Sequence, residues 1–481
     1  MDSLRCEKKR PNIILITTDQ QRYDTIGAHG YSYMQTPNID KLADEGVSFM
    51  QCYCTAPSCV PSRASFFNAK YPHALDVYNN FCEWESSWVE LLQKEGYHTV
   101  NIGKMHTVPH NTPCGFDERF VVENKDRPLE LENLHGGFYD EWDRFLANSG
   151  IRKPGRKSYK AENEEYETAL GAYNWPLDEK YHPDEFVGNM AKWFIEKRES
   201  TAPLFLEIGF PGPHPPYDPP ERYVEMYKNI NIPTPNVSEA ELMLQPESHR
   251  MYRNEMINGN HDAVKWHENP EKEQLLRLRR YYAANVTLID EKIGEIMNAL
   301  KERGYLEDAI VIFTSDHGDC LGDHGLIQKW TMYDCIVRVP MIVYAPAKIS
   351  GGLKTDALVQ HMDIAALLFE LSGVEVPHEW DTIRVLPELK KGREHVFAEH
   401  SRDNILKGAD YVTMIRSKKY KLVHYLDKEF GELYDLNKDP GEVENLWDST
   451  EYFGIKQEML NTLLNWRIRA SAKTIERYDI N

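Results

Sequence analysis

The stretch Cys59-Val60-Pro61-Ser62-Arg63 puts a thiol, a proline and a guanidinium within about one helical turn. Proline two positions after Cys59 suits the first turn of a helix, so the thiol is expected at the positive end of that helix's dipole. Arg63, one turn further along the same face, adds a permanently charged, forked donor. Together they predict an anion-binding spot with a nucleophile beside it. Three chemistries fit the residues alone. One is a reactive thiolate, although cysteine-based phosphatases use a longer Cys-to-Arg loop. A second is a zinc site from Cys52, Cys54, Cys59 and Cys82, which lacks any paired Cys-x-x-Cys spacing. The third is a buried, small apolar cysteine.

Other chemistry-bearing residues cluster where apolar runs end. NIILITTDQQ places Asp19 and Gln20 just past the run Ile13 to Ile16, and HTVNIGKMH places Lys104 and His106 past another. PLFLEIGFPGPHPP ends in His214, and AIVIFTSDHGD in Asp316 and His317. Any one of these reads equally well as a polar loop with its hydrogen bonds satisfied. In open α/β sheets, however, ligands bind beyond the carboxyl ends of the strands, so the recurrence points to one shared site.

The elements that must position these residues alternate short apolar runs with amphipathic segments, the pattern of strand and crossover helix. The fold class is α/β: a large, mostly parallel central sheet flanked by helices, followed by a smaller C-terminal α+β subdomain. A long excursion after His214 enters a helix at EQLLRLRRYYAANVTLIDEKIGEIMNALKERG, and such excursions form lids or substrate walls. Periodicity weakens around VPHEWDTIRVLPELKKG, which sets the expected division at 1–375 and 376–481. Beyond it YVTMIRS and YKLVHYL read as antiparallel strands, and NTLLNWRIRASA as a closing helix. The basic run RKPGRKSYK, residues 152 to 160, reads as a solvated loop or as a binder of anionic substrate groups.

With 481 residues, 41% of them hydrophobic, the chain can bury a large core. Its net charge of −20 works against binding nucleic acid, and favours small substrates over long polyanions. Eight cysteines are too sparse for a disulfide scaffold. No apolar stretch reaches membrane-spanning length, and MDSLRCEKKR runs straight into strand-like NIILI rather than a signal core. The chain therefore reads as soluble, with no membrane partner: cytoplasmic as it stands, periplasmic if a leader is removed.

CVPSR matches the Cys-x-Pro-Ser-Arg signature of type I sulfatases, members of the alkaline phosphatase superfamily, and the resemblance extends along nearly the whole chain. RPNIILITTDQQRYD, TPNIDKLADEGVSF, IGKMHT, PHPPYDPP, TSDHGDCLGDHGLIQK and ELYDLNKDPGEVENL all resemble family segments, in family order. The resemblance implies that Cys59 is a precursor. A formylglycine-generating or anaerobic sulfatase-maturating enzyme, a transient partner, would oxidise it to formylglycine. In the family the hydrated aldehyde attacks sulfur through one hydroxyl, and deprotonation of the other expels sulfate from the covalent sulfo-enzyme.

By the same resemblance Asp19, Gln20, Asp316, His317 and residue 59 ligate a metal, usually calcium. Gln20 and His317 replace the aspartate and asparagine of many members, and fewer carboxylates leave manganese or magnesium open. Lys104 and Lys329 match lysines that hold sulfate oxygens, and His106 the histidine that assists the formylglycine hydroxyl. His214 matches the one that bonds the bridging oxygen; whether it or Lys329 protonates the leaving group stays open. Asp24, Thr107 and His324 fall near these motifs and read as structural. Downstream, Ala69 stands where the family has glycine. The implied function is hydrolysis of a sulfate ester on a glycosaminoglycan-derived oligosaccharide, narrowed to a 2-O-sulfated unsaturated uronic acid. The alternatives are a phosphonate monoester or phosphodiester hydrolase of the same superfamily, and a non-catalytic protein that binds sulfated sugars.

Overall fold

The computed structural model describes residues 10–123, 139–155, 159, 165–259, 261–386, 391–403 and 405–472. Its main sheet has nine strands: β1 (Ile13–Asp19), β2 (Val47–Tyr53), β3 (His98–Gly103), β4 (Glu118–Val121), β5 (Leu204–Pro213), β6 (Ile310–Ser315), β7 (Arg338–Val339), β8 (Met341–Tyr344) and β9 (Leu353–Gln360). The order across the sheet is β4-β3-β5-β1-β6-β8-β2, with β9 on the far side of β2. Strands β7 and β8 follow the same edge of β2, interrupted at Pro340, which has no N–H to give to a ladder.

Every residue of β1, β5 and β6 is buried, which is why these segments read as unbroken apolar runs rather than as alternations. The pairings β3·β5, β5·β1 and β1·β6 are all parallel. Their registers bring the ends together: Gly103 lies opposite Gly209, Asp19 opposite Pro213, and Thr18 opposite Ser315. The residues that follow β1, β3, β5 and β6 consequently emerge along one rim of the sheet. That is the arrangement the strand ends predict.

Helices α1 (Pro37–Glu45), α2 (Cys59–Asn68), α3 (Pro183–Lys197), α4 (Lys272–Glu302) and α5 (Asp363–Ser372) flank the sheet. The long α4 packs along α3 and also anchors α1. The Asp290 carboxylate accepts the backbone N–H groups of Asn38 (3.1 Å) and Ile39 (2.7 Å), placing negative charge at the positive end of α1.

A second, antiparallel sheet carries β10 (Val396–Ser401), β11 (Tyr411–Arg416), β12 (Tyr420–Tyr425) and β13 (Gly431–Asp435), with α6 (Phe453–Ala472) closing over it. Trp466 of α6 stacks on Phe397 of β10 at 4.6 Å. The sequence reading found β11, β12 and α6; β10 and β13 escaped it because each carries a buried carboxylate, Glu399 or Glu432, where a strand pattern wants an apolar residue. Buried Val396, Ala398, Val412, Met414 and Val423 belong to the same apolar cluster as the main sheet. Fully buried Lys421 of β12 reaches Asp334 (2.8 Å) and Glu442, tying this sheet to the segment just past Lys329. No helix among the described residues is long and apolar enough to cross a membrane.

Candidate active site

Cys59 is the first residue of α2, and Ser58, with extended backbone, precedes it. Only 1% of Cys59 is exposed. Its Sγ lies 3.0 Å from Lys329 Nζ, 3.2 Å from His317 Nε2 and 3.8 Å from Asp19 Oδ1. Arg63, one turn along α2, donates through Nε to Asp316 Oδ2 (2.8 Å) and through Nη1 to the Lys104 carbonyl (3.0 Å); its Nη2 stands 3.5 Å from Asp19 Oδ2. The helix ends at Ala69, whose φ of 55° is left-handed, so the family's preference for glycine there has a backbone cause.

Lys104 leaves β3 where the backbone is unusually close to β5. A Cβ on Gly209 would sit 2.0 Å from the Lys104 carbonyl oxygen. The lysine turns inward to Asp19 Oδ2 at 2.5 Å. Burial alone would raise the Asp19 pKa, but Lys104, His214, Arg63 and Lys329 together hold the carboxyl well below its usual range. Lys329 responds in the opposite sense: burial disfavours its charge, yet Cys59, Asp262 and Asp19 keep its pKa above the ordinary lysine value.

Two histidines have their tautomers set by backbone carbonyls. Nδ1 of His317 donates to Gly318 O (3.0 Å), leaving Nε2 to face Cys59 and Asp316. Nδ1 of His214 donates to Pro215 O (2.7 Å), leaving Nε2 to face Asp262 Oδ2 at 3.7 Å. Burial, then Lys329, push the His214 pKa well below the usual value. His106, with φ of 58°, donates its backbone N–H to Glu123 and stacks on His110 at 6.4 Å.

Among the described residues, the ligand atoms of Asp19, Cys59, Asp316 and His317 lie within 4.8 Å of one another. All four residues are buried, and Cys52, Cys54 and Cys82 do not join them, so the zinc alternative finds no support. Two carboxylates and an imidazole with a fixed tautomer suit a divalent cation. Gln20 is held at the edge of this group: its N–H donates to Asp316 Oδ1 (2.9 Å), and its side-chain oxygen accepts from Lys329 (3.0 Å).

Sequence reasoning missed the residues that orient Gln20 and Lys329. Fully buried Asp319 accepts from Gln20 Nε2 (2.6 Å), Tyr217 Oη (2.7 Å) and the Gln328 N–H (2.9 Å), while Tyr282 donates to the Gln20 carbonyl (2.6 Å). Asp319 was visible within TSDHGD, but only its contacts show the role. Of the residues left as structural, Asp24 pairs with Arg22, Thr107 donates to His110 O, and His324 pairs with Glu241 while stacking on Tyr333. In the basic run, Lys153 is taken up by Asp143 (2.6 Å) and lies over Trp142; residues 156–158 and 160 of that run fall outside the described residues.

The chain matches the sulfatase family over residues 11–374, and a family described as "N-sulphoglucosamine sulphohydrolase, C-terminal" over 322–469. It is 31% identical over 474 residues to an arylsulfatase of Clostridium perfringens, covering 92% of this chain and 91% of that one. An N-acetylglucosamine-6-O-sulfatase of Bacteroides thetaiotaomicron is 25% identical over 522 residues, covering 95% and 86%. Among solved structures, the phosphonate monoester hydrolase of Agrobacterium radiobacter superposes with a TM-score of 0.77 at 25% identity, covering 96% of both chains.

Proposed function

Since the chain belongs to the sulfatase family and is a sulfuric ester hydrolase, we propose that residue 59, matured to formylglycine, attacks the sulfur of a small sulfated sugar. The observation that carries this reading is the gathering of Lys329, His317 and Asp19 around Sγ of a cysteine at a helix N-terminus, with Arg63 and Lys104 just behind them. Formylglycine at this position would supply, as its hydrate, one hydroxyl for attack and a second for release of sulfate. Because Cys59 is buried, the maturing enzyme would have to act before the fold closes.

Asp19, Asp316, His317 and residue 59, with Gln20 at the edge, would hold a hard divalent cation, for which we propose calcium; such an ion supplies charge to lower the pKa of a bound hydroxyl. The residues of the chain do the rest. Lys104 and Lys329 orient the sulfate oxygens and counter the charge that grows on them in the transition state. His106 assists at the hydroxyl of residue 59. His214 presents Nε2 to the bridging oxygen, its ring held by the Pro215 carbonyl. We read residues 1–375 as the catalytic unit and 376–481 as a subdomain that braces it through Lys421. Glycosaminoglycan-derived oligosaccharides are the proposed substrate class, by analogy with the sugar-sulfatase relative.

His214 and Lys329 can be separated as proton donors. His214→Gln is expected to lower kcat by about 100-fold for alkyl sulfates, whose alcohols need a proton, and far less for 4-nitrophenyl sulfate. A uniform loss across leaving groups would assign protonation to Lys329 instead.

A second reading rests on the likeness to the Agrobacterium phosphonate hydrolase. Steady-state comparison of 4-nitrophenyl sulfate with 4-nitrophenyl phenylphosphonate on matured protein tests both. We expect kcat/KM to favour the sulfate by at least ~10-fold; the reverse preference would transfer the site to phosphorus chemistry. Binding of sulfated sugars with no turnover of either ester would return the protein to a non-catalytic binding role.

A further inference from the structure

The sulfate end of the site is bounded by cations, while a carboxylate that also acts on Lys329 faces His214. Asp262 lies in the long excursion after β5, and its carboxylate stands 3.7 Å from His214 Nε2, the nitrogen that the Pro215 carbonyl leaves free. The Asp262 side chain is 22% exposed against 4% for His214, so it lines the approach rather than the floor.

Its position is enforced. Asp262 has φ 51° and ψ 39°, and Ala263 follows at φ 60°: two consecutive non-glycine residues in left-handed conformation. That is a costly backbone, which persists only where neighbours over-determine it. Here they do. Gln328 Nε2 donates to His261 O (2.9 Å), the Val264 N–H to the same oxygen (3.0 Å), and the Tyr166 hydroxyl to Ala263 O. Gln328 is itself the neighbour of Lys329, so the loop bearing Asp262 is pinned to the segment bearing the sulfate-side lysine.

We propose that Asp262 sets substrate specificity by reading the charge of the group next to the sulfated carbon. The inference rests on the sulfatase reading above, in which the bridging oxygen sits at His214 Nε2. A substituent one or two bonds from that oxygen then falls within reach of the Asp262 carboxylate. An ammonium or a hydroxyl there gains a charge-assisted hydrogen bond. A carboxylate or second sulfate meets a like charge carried on a backbone that Gln328 and Tyr166 hold in place, and rejection by repulsion discriminates as effectively as attraction. The substrate class is therefore a sulfate ester whose alcohol carries a neighbouring amine or hydroxyl donor, such as an aminosugar. The 2-O-sulfated uronic acid expected from the sequence, with its ring carboxylate, fits this approach less well.

Three 4-nitrophenyl sulfates bearing an ortho aminomethyl, methyl or carboxylate group test the proposal on matured wild type, Asp262→Asn and Asp262→Ala. The quantity to read is the kcat/KM ratio of the aminomethyl to the carboxylate ester, compared between proteins so that intrinsic leaving-group reactivity cancels. Wild type should favour the aminomethyl ester, and both variants should cut that preference by about tenfold or more. An unchanged ratio in both variants overturns the proposal, whether or not the overall rates fall, because Asp262 would then act only through His214. If a variant turns over too slowly, the Kd values of the three corresponding phenols give the same comparison. Failure of wild type to hydrolyse any of the three would count against the sulfatase reading, and the phenol affinities would still decide the role of Asp262.

Discussion

Protein carrying Cys59→Ala, produced beside a formylglycine-forming enzyme, is expected to hydrolyse sulfate esters at least ~10⁴-fold more slowly than matured wild type. The variant keeps the charged groups that face the anion, Arg63, Lys104 and Lys329 at the N-terminus of α2, and gives up one of the four groups that would hold the cation. What it lacks is an atom to attack sulfur. Anion binding should thus survive while kcat collapses, so calorimetric titration with inorganic sulfate should give a Kd within about tenfold of that of wild type. Cys59→Ser should be nearly as inactive over many turnovers, because a single hydroxyl can accept the sulfuryl group but offers no second hydroxyl to expel it. Alanine at the first position of α2 costs the helix little, and loss of one buried sulfur is worth about 1–2 kcal/mol of stability. Steady-state rates, a denaturation midpoint and the mass of the wild-type peptide containing residue 59 complete the test. Undiminished turnover by the alanine variant would eliminate residue 59 as the nucleophile.

Much of this site was legible because of one topological rule. Once β1, β3, β5 and β6 are recognised as buried parallel strands, their carboxyl ends must share a rim, and Asp19, Lys104, His214 and Asp316 are simply the residues found there. Cys59 and Arg63 were legible for a local reason, the helix start announced by Pro61. Asp319 and Tyr282 were not: their work consists of hydrogen bonds to Gln20, roughly 300 and 260 positions away along the chain. No periodicity marks such a pairing. Asp262 was hidden differently, in irregular chain where neither strand nor helix patterning says which side chain points inward. The substrate-binding reading of the basic run fares least well where it is described, since Lys153 is engaged by Asp143 and Trp142. Charge in a sequence announces an ionic partner without saying whether that partner is a ligand or the protein itself.

Asp316→Asn should damage both catalysis and folding, and the two effects can be measured apart. Asp316 Oδ1 accepts from the backbone N–H groups of Gln20 (2.9 Å) and His317 (2.8 Å), while Oδ2 accepts from Arg63 Nε (2.8 Å). Asparagine preserves the shape, yet whichever way its amide turns, an NH₂ faces a donor. Arg63 is 2% exposed and is left with Asp19 at 3.5 Å as its remaining carboxylate. Breaking a buried pair on one side strands a charge away from water, at a cost of about 3–5 kcal/mol. Unfolding of wild type and variant in urea, both in excess chelator, reads that cost without any contribution from bound metal. Calcium then tests the second role: an ion that binds the folded state stabilises it by RT ln(1 + [L]/Kd), so the wild-type midpoint should climb with calcium concentration while that of Asp316→Asn stays nearly flat. Activity should fall at least ~10³-fold in the variant, because the residue that orients Arg63 and the residue that would share the cation are the same. A variant that kept the calcium-dependent midpoint and the full rate would show that the ion lies elsewhere.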